Sequence, residues 1–254
     1  MEDRVWALEG VRNFRDFGGY RTKDGRILAK GRLFRSASFA EASAADIGRL
    51  NALGVKFIVD LRRSHEREAS PNRWPGPQTR TISYSSGARE AESAAQAAPH
   101  IEVARLRRTP EEQRAFMRDY YGRAVYSDRF TQQFAAMFAA MAEEGGPFVV
   151  HCAVGKDRTG IACALIHEAL GIDRDTIFAD FLLTNANASR WAQERSGRAD
   201  DDIPLPQVGV HEDYLHATYQ TIDSQTGDVQ HYLSDVLNVT SAMRARLAAH
   251  FLED

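Results

Sequence analysis

Residues 148–166, FVVHCAVGKDRTGIACALI, constrain the architecture more than any other stretch of the chain. A β-branched run stops at a His-Cys pair, crosses a turn containing Gly155, and resumes after Arg158 as an apolar, helix-like segment. A short apolar run bounded by turn residues suits a strand buried on both faces, and the helix that follows packs back onto its sheet. The same grammar recurs upstream. Ser43 is placed to cap a helix over about 44–53, Gly54 ends it, and Val55 to Leu61 reads as a second buried strand. Helices alternating with buried strands predict an α/β fold with a mostly parallel central sheet.

The remaining segments fit around that frame. Residues 11–36 read as short strands and turns, punctuated by Gly18-Gly19 and Asp24-Gly25. Prolines 71, 75 and 77 break regular structure, and residues 85–110 are Ala-rich and polar without a core period. The expectation there is an insertion or lid over about 85–120, or a solvated surface helix. A helix is predicted over 111–121 behind Pro110, and Ser127 is placed to cap another running to about Glu144. In the latter, Phe130, Phe134, Met137, Phe138 and Met141 recur at helical spacing and mark a core face. Gly145-Gly146-Pro147 ends it. Further helices are predicted at 158–170, 173–186, 212–223, 229–237 and 241–252.

Composition narrows the function classes. Residues 1–254 suit one domain with its insertion. Lys+Arg 32 against Asp+Glu 35 gives a net charge of −3, without the basic excess of a nucleic-acid binder. Two cysteines make no disulfide framework. The charged first twenty residues lack the apolar core of a secretory signal, and no apolar run approaches the ~18 residues of a membrane span. The expectation is a cytoplasmic protein without stable membrane insertion.

At the strand–helix junction the first-turn amides of the helix are unpaired and carry partial positive charge, and successive loop amides form a nest for anionic oxygens. Gly155 permits a backbone angle closed to other residues, and Gly160 allows close approach at the helix start. Cys152 lies at the floor of this cradle, where thiol pKa values fall to roughly 3.5–7.5 and the nucleophilic thiolate forms. Arg158 supplies a fork of parallel hydrogen bonds to phosphate oxygens. Thr159 is placed to donate to the sulfur and ease its departure, and His151 to orient the loop rather than act as base. Cys163, at an apolar helical position, reads as core.

The run His151-Cys152-Ala153-Val154-Gly155-Lys156-Asp157-Arg158-Thr159-Gly160 resembles the HCX5R[S/T]G phosphate-binding loop of cysteine-based protein tyrosine phosphatases. Its Gly-Lys-Asp-Arg-Thr-Gly version is similar to the bacterial and fungal branch, which includes lidded, lipid-active members. VRNFRDFGGYRTKDGRILAKGRLFRSASF (11–39) and GVKFIVDLRRSHERE (54–68) match in order, so the resemblance covers about residues 11–252. It implies a tyrosine-phosphatase-like fold and hydrolysis of phosphate monoesters through a phosphocysteine, without a metal or other cofactor. Ala153, Val154, Gly155, Lys156, Thr159 and Gly160 would line the phosphate. The implied partner is a phosphotyrosine protein, with phosphoserine/threonine as a possible addition, or a phosphoinositide.

The leaving oxygen needs a proton, usually from a carboxylic acid. RWPGP (73–77) resembles the mobile Trp-Pro-Asp loop of many tyrosine phosphatases, but Gly76 stands where the aspartate belongs. Asp157 is the first candidate for the acid. Asp60, at the carboxyl end of its strand, is the second, with an ion pair to an arginine as its alternative role. Lys156 adds positive charge at the rim, as in phosphoinositide 3-phosphatase loops, although the second lysine those enzymes often carry after the cysteine is Ala153 here. Arg105, Arg107 and Arg108 read as a solvated face or as a guide for anionic substrates.

Overall fold

The computed structural model describes residues 5–76, 79–84, 109–195 and 209–254, with the backbone alone for 187–195. The elements are β1 (Arg15–Asp16), β2 (Ile27–Leu28), β3 (Leu33–Ser36), α1 (Ala44–Asn51), β4 (Phe57–Asp60), α2 (Ser64–Ala69) and β5 (Arg80–Ser83). There follow α3 (Pro110–Ala124), α4 (Asp128–Glu144), β6 (Phe148–His151), α5 (Asp157–Ala169), α6 (Arg174–Arg195) and α7 (Glu212–Thr226). The short α8 (Val229–His231) widens into a π-type turn over Tyr232–Val236, before α9 (Ser241–Phe251) and β7 (Leu252–Glu253).

Five strands form a mixed sheet in the order β1-β3-β6-β4-β5. Four run parallel, and β1 joins the edge antiparallel. A separate antiparallel pair, β2 with β7, ties residues 252–253 to 27–28. Alternation along the central strands feeds two cores. Leu33, Phe57, Val59, Phe148 and Val150 enter one, while Phe34, Ile58 and Val149 enter the other. Each such side chain contributes roughly 1.5–3 kcal/mol of burial, and neither face of β4 or β6 meets water. The aromatic stripe of α4 is buried as expected.

In this register Ser36, His151, Asp60 and Ser83 line up at the carboxyl edge of the parallel strands. The loop leaving β6 therefore emerges where open α/β sheets place their ligands.

Ser43 caps α1 as predicted, accepting the Asp46 N–H at 3.1 Å while Asp46 accepts the Ser43 N–H at 3.1 Å. Ser127 differs. Its hydroxyl donates to the Ala124 carbonyl at 2.8 Å, closing the end of α3 instead of capping α4. The helix expected to end near 186 continues to Arg195, and the one expected over 229–237 breaks into the π-type turn, where the Leu237 N–H reaches back to the Tyr232 carbonyl. Residues 85–108 of the anticipated insertion, with Arg105, Arg107 and Arg108, lie outside the described residues. Residues 110–120 begin α3, which has a reciprocal Thr109–Glu112 cap and packs along α7.

Candidate active site

Cys152 follows directly on β6 and is buried, with its Sγ accepting the Gly155 N–H at 3.2 Å. Two loop residues, Ala153 and Val154, are half-buried between them. Gly155 has φ +74°, and a Cβ there would lie 2.4 Å from the Ser36 carbonyl carbon and oxygen. Only glycine fits that position. Its carbonyl accepts from Asn13 Nδ2 at 2.7 Å and from Arg35 Nη2 at 3.0 Å. The Ser38 N–H donates to the Ala153 carbonyl at 3.2 Å, so β3 and its following turn support the loop from below. Gly160 lies within the first turn of α5, where a Cβ would come 2.7 Å from the Phe181 ring of α6. The close approach expected of it is thus helix to helix.

Arg158, in the first turn of α5, is buried and places its donors unequally. Nη1 donates to Glu66 Oε2 at 2.6 Å and to the Leu61 carbonyl at 3.1 Å, and Nη2 donates to Glu66 Oε1 at 2.8 Å. A guanidinium has five N–H groups in a rigid fork. Among the described residues these contacts leave the Nε–H and the second Nη2–H, which point along the same edge. That edge is the bidentate pattern a phosphate takes. Burial opposes the Arg158 charge, but Cys152 and Glu66 outweigh it and raise its pKa well above the ordinary value. Burial likewise opposes the charge on Glu66, and the Arg158 guanidinium brings its carboxyl down to about 2. Glu66 lies on α2, a helix in which no residue is buried, and sequence reasoning missed it. The available signal was its place in the GVKFIVDLRRSHERE segment.

Asp157 is buried and accepts from the Tyr121 hydroxyl of α3 at 2.9 Å through Oδ1. Lys156, expected at the rim, is buried instead. Its Nζ donates to the Gly209 carbonyl at 3.2 Å and stands 3.8 Å from Asp157 Oδ2, because these oxygens satisfy an ammonium that the loop turns inward. Thr159 does not bond the sulfur. Its buried hydroxyl has no partner among the described residues. Tyr120 is half-buried, and enclosure by the site together with Asp157 and Cys152 pushes its phenol up to about 12, against the pull of Arg158 and Arg129.

The Asp60 carboxylate faces Arg62, which donates from Nε at 3.0 Å and from Nη2 at 2.8 Å. Burial alone would raise its carboxyl, but His151 and Arg62 hold it below the usual range. His151 is fully buried, which pushes its pKa down despite Asp60 3.6 Å away. The Phe39 N–H donates to Asn72 Oδ1, which orients Asn72 Nδ2 toward His151 Nε2 at 3.2 Å. On the other side of the ring, Nδ1 stands 3.3 Å from the Cys152 carbonyl. His151 thus touches the loop backbone. Cys163 is buried in the core, and burial drives its thiol up to about 12. Among the described residues no group of three His, Cys, Asp or Glu side chains is disposed to hold a metal ion.

Comparison with known proteins places these residues in context. The model of the tyrosine phosphatase family matches residues 6–253. A Cupriavidus necator protein, provisionally named a tyrosine-protein phosphatase, is 34% identical over 97% of this chain and 88% of its own. The triple specificity protein phosphatase PtpB of Mycobacterium tuberculosis is 30% identical, over 91% of this chain and 93% of its own. A tyrosine-protein phosphatase of Nostoc commune is 25% identical over 80% and 68%.

Proposed function

Because the chain belongs to the tyrosine phosphatase family, we propose that it hydrolyses phosphotyrosine in proteins through a phosphocysteine formed on Cys152. The sulfur attacks phosphorus in line as the bond to the phenolic oxygen breaks, and the Asp157 carboxyl gives its proton to that oxygen. Water then attacks the phosphocysteine, Asp157 takes a proton from it, and inorganic phosphate leaves with the thiolate restored. The free edge of Arg158 holds two phosphate oxygens as charge moves onto them. Asp60 positions rather than reacts, through Arg62 and His151. Thr159 turns its unpartnered hydroxyl to the sulfur when the phosphocysteine breaks.

The observation that carries this reading is the donor accounting at Arg158. Three N–H groups are bound to Glu66 and Leu61, and the remaining two form a fork beside a cysteine whose sulfur already receives a loop N–H. Residues 1–254 act in this reading as one phosphatase unit, with α3 closing one side of the site through Tyr120 and Tyr121. Two unpaired cysteines suit a reducing cytoplasm, and among the described residues no helix is long and apolar enough to cross a membrane.

The test is turnover of a phosphotyrosine peptide and of a nitrophenyl phosphate, with chelator present. Cys152→Ser should lose at least about 1,000-fold on both. Asp157→Asn should lose about 100-fold on the peptide and far less on the nitrophenyl ester, whose leaving group needs no proton. Near-normal activity in Cys152→Ser, or abolition by chelator, overturns the mechanism. The relative named for triple specificity favours substrates beyond phosphotyrosine, and a phosphoinositide headgroup is the second candidate. Comparing turnover of a 3-phosphoinositide with that of the peptide decides between them.

A further inference from the structure

Behind the phosphate loop lies a charged layer that the reaction steps above do not use. Arg15 on β1 and Arg35 on β3 stand directly opposite each other across the antiparallel pair, and both are completely buried. Like charges in that relation repel, and burial adds its own cost. Burial, with the charge of Arg35 beside it, lowers Arg15 to about 10. One carboxylate, Asp180 of α6, faces both. Arg35 Nη1 lies 3.4 Å from Asp180 Oδ2, while Arg15 Nη2 reaches the Asp180 carbonyl and the Thr184 hydroxyl, each at 3.3 Å. Tyr20 donates to Asp180 Oδ1 at 3.1 Å. The Nε atoms of both arginines are buried without a partner among the described residues. Two cations against one carboxylate leave one positive charge in excess.

That excess is aimed at the loop. Arg35 Nη2 donates to the carbonyls of Gly155 at 3.0 Å and Lys156 at 3.5 Å. Asn13, bonded by Arg15 and held at φ +54°, donates to the same Gly155 carbonyl. The residue so gripped is the one whose N–H faces the Cys152 sulfur.

We propose that Arg35, backed by Arg15 and Asn13 and balanced by Asp180, is a positioning residue for this site: it fixes Gly155 against the Cys152 sulfur and sets a buried positive charge behind the loop. The inference rests on Cys152 being the nucleophile. Other ionisable groups also act on the pair. Arg158 and Cys163 of α5 and Tyr120 of α3 interact with Cys152, and His151 precedes it. His167 and Cys163 of α5 face Asp180, and Tyr20 bonds it. None of these changes in the variants below, so each serves as a constant background.

From Arg35 Nη2 to the sulfur the path is two hydrogen bonds and one residue, on the order of 10 Å at most. At that separation one charge moves a titration by about one pH unit for an effective dielectric near 20. The experiment is the pH dependence of iodoacetamide alkylation of Cys152, read as the mass of label on each chain with Cys152→Ser as blank, and followed in parallel as loss of wild-type activity. Arg35→Gln should move the midpoint up by about one unit, Arg35→Lys should restore most of it, and Asp180→Asn should move it down. Opposite signs are what a charge device produces. A merely loosened loop moves both variants upward, and that result overturns the proposal, as does an unmoved midpoint in folded Arg35→Gln. If Arg35→Gln does not fold, the direction in Asp180→Asn decides. If wild-type Cys152 fails to alkylate with loss of activity, the nucleophile assignment has failed instead.

Discussion

Replacing Glu66 with Gln tests whether Arg158 is held from behind by a charge. In the folded site burial resists that charge, yet Arg158 and the Arg63 N–H bring the carboxyl from 4.5 to about 2. The difference, 4.5 − 2, is about 2.5 units, and at 1.36 kcal/mol each the ionised carboxylate is worth about 3 kcal/mol to the fold. The Glu66 side chain is 11% exposed, so water screens little of this. Gln keeps one acceptor but turns an NH2 toward the guanidinium, the kind of one-sided loss that costs roughly 3–5 kcal/mol in a buried pair. Urea unfolding at pH 7 should therefore show Glu66→Gln less stable by about 3 kcal/mol. Its kcat/KM on an aryl phosphate should fall about 100-fold, because a fork displaced by about 1 Å no longer meets both oxygens. The pH dependence has a definite sign. A depressed carboxylate contributes fully above its unfolded value and loses that contribution as pH falls toward the folded one. The wild-type advantage should stay constant from pH 7 to 5 and shrink by about 1.4 kcal/mol per unit below 4.5. Equal stabilities at pH 7, or an advantage unchanged between pH 4.5 and 3, would refute the reasoning.

Gly155→Ala places a Cβ 2.4 Å from the Ser36 carbonyl at φ +74°, so thermal unfolding should show a loss of at least about 2 kcal/mol and assays a loss of 100-fold or more. A stable, fully active variant would contradict the packing described. Asp60→Asn strands the buried Arg62 and should cost about 3–5 kcal/mol, with turnover per folded molecule changed less than about tenfold. A larger loss than in Asp157→Asn reverses the two aspartates' roles. Cys163→Ala should leave activity and labelling at pH 7 unchanged, at one alkylated site per chain, since burial keeps that thiol neutral up to about 12. Two labels on the wild type would show it to be reactive.

The groups proposed to react stand out in the sequence because they are contiguous. A strand end, a glycine turn and a helix N-terminus place Cys152, Gly155 and Arg158 within seven positions, and each residue type answers a local requirement. The central strands were legible for the same reason, since apolar runs at 57–60 and 148–151 have no other place to go. The edge strand β5 escaped because RTIS carries one buried residue, Ile82, and α2 because SHEREA carries none. Lys156 escaped differently. Nothing in the loop itself indicates that Gly209, fifty-three positions away, offers the carbonyl that draws the ammonium inward.

The supporting charges are harder to see, and the reason is physical. Glu66 is 92 positions from Arg158, and Arg35 is 120 from Gly155, so neither contact leaves a periodic trace. Nothing within the run RRSHERE marks which of its acids is paired inside. Arg35 does leave a mark: it follows Leu33 and Phe34 in a strand whose four residues are all buried. A cation in such a strand demands a partner, because an unpaired buried charge costs more than any neighbouring apolar contact returns. A five-residue loop buries too little surface to offset the entropy of its own ordering. The contacts that hold it come from Asn13, Arg35, Ser38 and Glu66, on elements the loop does not contain.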